Sequence, residues 1–306
     1  MLAPEFSKGN NVMRHFRAGL STAAFLLAAT AQAQPPAATS PAPTPPAASA
    51  TTPVAPPTAE ERQRLAAAAQ RGIQLFELAR AAQLTTQDML SRIPDPASAG
   101  IAGWIAVPEG NGLTVIYYTE GPEGPVAVYR AQVVGGRIAG QNVFTGAGRP
   151  TLTAVQSRMA SARAAVATLD RQPCSGDFNV FVMPPAAADA PVEVYKLSPQ
   201  SARGRYPLGG HFLATVAPDG TVASTRAFTN RCLDLEVPAD AAAPARPLAV
   251  THLLDPLPTE IHVFLSLWMN RPLLVATGNP DRLWTVARGR IGLVGALQVP
   301  PAGPGR

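Results

Sequence analysis

The chain has 306 residues, 46% of them hydrophobic and 15% charged, with 33 Pro and 25 Gly, enough apolar content for one or two folded domains. Its formal net charge of +5 comes almost wholly from arginines scattered singly among Ala and Pro, which excludes a clustered basic face for nucleic acid. Past the N-terminal leader, no run reaches the ~18 apolar residues that a membrane-spanning helix needs.

Met13-Arg14-His15-Phe16-Arg17 is a basic n-region, residues 20–30 an apolar and small-residue h-region, and Ala31-Gln32-Ala33 an A-x-A cleavage site. Together they predict a secretory signal peptide over 1–33, cleaved after Ala33, with Met13 as initiator and 1–12 as an upstream extension. An h-region of about eleven residues is too short to span a bilayer as a helix. No Cys follows it to accept a lipid. The expected destination is the periplasm or the exterior. Residues 34–57 are nearly all Pro, Ala, Thr and Ser, and predict a disordered tether.

A single α+β domain is expected from 58 to 299, followed by a disordered tail over 300–306. Thr58 and Glu61 form a capping-box pattern that opens a helix to about Ala82. Leu65, Ile73, Phe76 and Ala79 form its apolar stripe, widened by Leu75 and Leu78. A second short helix is predicted from Thr85 to Leu90, stopped by Pro94 and Pro96. Runs 103–107, 113–119 and 126–134, separated by Asn111-Gly112 and Gly121-Pro122, predict a three-stranded meander. A central helix is expected over 153–169, with Met159, Ala162 and Val166 on one side. Strands at 178–183 and 192–197 precede a hairpin, 210–216 and 221–228, turning at Asp219-Gly220. An Ala/Pro loop over 237–247 leads to a strand at 248–253, a short helix at 258–269 and closing strands at 273–277 and 283–286. The whole is a mixed or antiparallel sheet system with a short C-terminal helix.

Cys174 and Cys232 are the only cysteines. In an exported domain they are expected to pair, joining the start of the first strand after the central helix to the end of the long hairpin. His211, His252 and His262 are the only histidines of the mature chain, all in its last third. Neutral imidazoles are zinc ligands, so the three form a candidate metal set. Each also has the plainer reading of a packed, hydrogen-bonded ring. Thr259 is a candidate N-cap for the last helix. No phosphate loop, G-x-S-x-G, H-E-x-x-H or C-x-x-C is present.

Cys174-Ser175, Phe178-Asn179-Val180, Gly209-Gly210-His211-Phe212, Asp219-Gly220, Val250-Thr251-His252-Leu253 and residues 258–264 resemble a group of exported proteobacterial proteins. That resemblance covers most of the mature chain and carries no activity with it. The last unit, with Thr-His at a strand end and Pro-Thr-x-x-His leading into a helix, is similar in order to the JAMM/MPN-type zinc hydrolases. The similarity implies His252 at the family's second His, Thr259 at its Ser and His262 at its Asp. Glu193 becomes the candidate catalytic carboxylate, while Val250 stands where the family has its first His. Two functions follow. One is a non-enzymatic binding or envelope accessory domain for a small ligand or an envelope protein. The other is a metal-dependent hydrolase using zinc on His211, His252 and His262.

Overall fold

The computed structural model describes residues 54–237, 246–278 and 281–296. The signal peptide, all but the last residues of the tether, most of the Ala/Pro loop and the tail over 300–306 lie outside them.

The expected α+β architecture is present. Helix α1 (Ala59–Arg92) opens on the Thr58 cap. Thr58 Oγ1 accepts from the Glu61 N–H at 3.2 Å, and the Glu61 carboxylate accepts from the Thr58 N–H at 2.8 Å. The helix is continuous, which corrects the expectation of a break near Ala82. Thr85 lies inside the helix, its hydroxyl donating back to the Ala81 carbonyl at 2.9 Å. The Thr86 hydroxyl meets Tyr117 Oη at 2.5 Å. Leu75 and Leu78 are buried, whereas Ile73 and Phe76 are only half-buried, so the core stripe is rotated from the expected one.

Strands β1 (Gly103–Glu109), β2 (Gly112–Thr119), β3 (Val126–Val134) and β4 (Arg137–Val143) form an antiparallel meander in chain order. The fourth strand was not expected: its side chains are largely exposed, and pairing with β3 defines it. Helix α2 (Ala154–Ala167) follows. Strands β5 (Asn179–Val182) and β6 (Val192–Leu197), the short β7 (Arg205–Pro207), then β8 (Phe212–Val216) and β9 (Val222–Ala227) come next. The second sheet is antiparallel in the order β5-β6-β8-β9, and β7 pairs instead with β10 (Asp234–Glu236). The third sheet holds β11 (Leu248–His252), β12 (Leu273–Thr277), β13 (Arg282–Ala287) and β14 (Arg290–Ala296). Its β11 and β12 run parallel, joined through helix α3 (Glu260–Met269).

Alternation sorts side chains between two cores. On β2, Val115 and Tyr117 join the larger core with α1, α3 and the third sheet, while Ile116 and Tyr118 join α2 and the second sheet. The Arg282 guanidinium reaches Glu61 at 2.9 Å, tying β13 to the first turn of α1. Helices α1 and α3 meet at Gly72. A Cβ there would lie 2.5 Å from Val263 Cβ and 2.6 Å from the Glu260 carbonyl. Replacing glycine by alanine ordinarily gains about 1 kcal/mol in a helix interior. Here we predict that Gly72→Ala instead costs about 1–3 kcal/mol through overpacking, read from urea midpoints. A stability gain would show that α3 shifts freely.

Candidate functional site

A cleft of about 880 Å³ opens between α1, the second sheet and the segment joining β11 to α3. Its floor follows from strand alternation. Val192, Val194 and Ala214 face the α2 core. Their neighbours Glu193 and Tyr195 on β6, Leu213 and Thr215 on β8, and Arg226 on β9 line the cleft. They are cross-strand partners: Glu193 opposite Thr215, Tyr195 opposite Leu213, Leu213 opposite Arg226. Helix α1 supplies Arg64, Arg71 and Gln74 as a wall, and the segment before α3 supplies Asp255, Thr259 and Glu260.

Three arginines therefore face three carboxylates. Arg71 Nη2 contacts Glu193 Oε2 at 2.7 Å as an ion pair without hydrogen-bond alignment. Its Nη1 donates to Gln74 at 3.2 Å. Arg226 Nη2 donates to Asp255 Oδ1 at 2.8 Å. Tyr195 Oη donates to Glu260 Oε1 at 3.1 Å while its ring stacks on Phe228. Burial, with the Glu260 and Glu193 charges, pushes the Tyr195 phenol far above its usual range, so it remains a donor. Burial would raise the Asp255 carboxyl, but hydrogen bonding to His252 and the charge of Arg226 hold it below its usual value.

The structure brings together two of the three expected histidines. His252 ends β11 and His262 sits in the first turn of α3, with ring centroids 4.7 Å apart in an edge-to-face contact. His252 Nε2 bonds Asp255 Oδ2 at 2.8 Å. His262 Nδ1 accepts from the Thr259 N–H at 3.0 Å, the place a Glu or Gln takes in a capping box, and lies 3.0 Å from the Thr259 hydroxyl. Thr259 is the N-cap of α3. His211 has separate duties. Its Nδ1 accepts from the Ser198 N–H at 3.2 Å, and its Nε2 donates to the Pro207 carbonyl at 2.9 Å.

These partners decide the fit to zinc. A ligand set needs three lone pairs aimed at one point. His211 spends both ring nitrogens on main chain and so cannot join a set of three, whereas the His262 helix cap and the His252–Asp255 bond each use one ring nitrogen only. Val250, at the place of the missing first His, is packed in the core. Among the described residues no group of three or more His, Cys, Asp or Glu side chains could hold a metal ion. The set His211, His252 and His262 is thus not gathered as ligands. Glu193, the candidate catalytic carboxylate, is the ion-pair partner of Arg71.

Cys174 and Cys232 are joined in a disulfide across 58 residues. Gly210, at φ +70°, brings its backbone against this bridge: a Cβ there would lie 2.7 Å from Cys174 Sγ. A disulfide fits an oxidising, extracytoplasmic compartment. Among the described residues no helix is long and apolar enough to cross a membrane.

Arg64, Arg71, Tyr195 and Arg226 did not stand out in the sequence. One signal was available: Arg64, Arg71 and Gln74 interrupt with polar groups the helical face that Leu78 and Ala81 continue. No family model matches the chain, and no curated protein or solved structure matches it significantly.

Proposed function

We propose that this is a non-enzymatic binding domain, exported to the periplasm or beyond after cleavage near Ala33, and that its cleft takes a polar ligand carrying both signs of charge. One observation carries the reading: three arginines and three carboxylates line one cleft, and the carboxylates are already engaged by Arg71, Arg226 with His252, and Tyr195. Such pairs can exchange partners with an incoming ammonium and carboxylate.

The tripeptide Glu-Gly-Lys is a suitable first probe, titrated calorimetrically into the mature, disulfide-bonded protein. Arg71→Glu turns the Glu193 contact into repulsion, and is expected to weaken binding at least ~10-fold, equal to about 1.4 kcal/mol. No binding by the native protein would sink the reading. Metal content discriminates the hydrolase alternative. Near-stoichiometric zinc, lost in His252→Ala/His262→Ala, would restore it. We expect zinc far below stoichiometric in both proteins.

A further inference from the structure

A second cleft, of about 680 Å³, lies between α1 and the β1–β2 and β3–β4 turns. It shares Arg71, Gln74, Met183, Pro184 and Pro185 with the charged cleft, so the two open into one another across a common waist. Its lining is more apolar, with Leu78, Ala81, Leu84, Leu113 and Val133. On α1, Arg64, Ala67, Arg71, Gln74, Leu78 and Ala81 recur every three or four residues. One face of one helix therefore runs the length of both clefts. From Arg64 to Leu84 that face is about 30 Å long at the helical rise.

The far rim is main chain. Gly110, Gly135 and Gly136 occupy the two turns at positive φ, and a Cβ at any of them would meet nothing within 4 Å. No side chain at these glycines stands between a ligand and the two turns. An acyl chain would gain nothing from such a rim. Phe76 lines this cleft and packs edge-to-face with Trp268, while Tyr195 in the charged cleft stacks on Phe228.

We infer that the two clefts are one groove for an extended peptide of about nine residues, given ~3.3 Å per residue. A charged end lies among Arg64, Arg71, Glu193 and Asp255, and bulky apolar side chains lie against Leu84 and Leu113. This rests on the binding reading above and extends it.

The test compares two fluorescein-labelled probes on the mature protein by anisotropy. One is Glu-Gly-Lys. The other is a nine-residue peptide with Glu and Lys in its first three residues and Leu and Phe in its last three. The longer probe is expected to bind at least ~10-fold more tightly, since it buries two more apolar side chains. Leu84→Glu should remove that gain and leave the tripeptide unaffected, with folding checked by urea midpoint. Equal affinity for both probes, or displacement of the longer one by palmitate but not by its unlabelled form, overturns the peptide groove and leaves the charged-cleft reading intact. Failure of the tripeptide as well overturns both.

Discussion

Between pH 6.5 and 4 the domain is expected to lose a large share of its stability. His211 and His262 are fully enclosed, and burial pushes their imidazoles down from 6.5 to about 4 and about 3; for His262 the neighbouring His252 acts in the same direction. The folded protein therefore refuses protons that the unfolded chain accepts. Above 6.5 both states hold neutral rings and the full stability is present. As pH falls below 6.5, only the unfolded chain gains charge, and stability drops by about 1.4 kcal/mol per pH unit for each ring. The decline ends near pH 4 for His211 and near 3 for His262. Two rings acting over more than two units remove several kcal/mol, a large share of the ~5–15 kcal/mol typical of a domain. Urea midpoints at pH 7.5, 6, 5 and 4.5 would measure this. His262→Gln, which keeps an acceptor for the Thr259 N–H, should halve the slope. A flat profile from 7 to 4.5 would show that these rings are not held neutral.

Replacing both cysteines by alanine is expected to cost about 4 kcal/mol, the loop-closure value for 58 residues. Its local consequences should be ordered. The Cys174 N–H donates to Ser198 Oγ at 2.9 Å, Ser198 Oγ donates to the Gly210 carbonyl at 2.9 Å, and the Ser198 N–H caps His211 Nδ1. The bridge therefore clamps the loop that keeps His211 enclosed. Cys174→Ala/Cys232→Ala should lower the neutral-pH midpoint and accelerate hydrogen exchange at Ser198 and Gly210 before it does so on α1. An unchanged midpoint would mean the unfolded chain is already compact around this loop.

Local chemistry was readable in the sequence wherever a residue acts on its own neighbourhood. The Thr58–Glu61 cap, the Asp219-Gly220 turn, the Cys pair and the cap at Thr259 all act within a few residues or follow from compartment. Failures occurred where tertiary partners decide. The sequence splits α1 between Ala82 and Thr85, whereas in the fold the helix runs on and the Thr85 and Thr86 hydroxyls meet Tyr117. Strand β4 has no apolar alternation because both its faces are largely open, and β3 alone templates it. Strands β7 and β10 are three residues each and exist through mutual pairing. The cleft was the least legible part. Arg71 and Glu193 lie far apart in the chain, and only the packing of α1 beside the second sheet makes them a pair. The histidines were legible in part: His252 and His262 meet, whereas His211 is held by its own main-chain partners.

The Arg282–Glu61 tie has a consequence for biogenesis. It joins side chains 221 positions apart, and α1 packs against α3 and β14, which are among the last parts of the chain to be made. An emerging N-terminal half offers α1 only the face of the first sheet, and the α3 side of the helix stays uncovered. Contacts of such separation delay folding until nearly the whole polypeptide is present. On the export reading proposed above, a chain whose core closes late would stay threadable through a translocation channel.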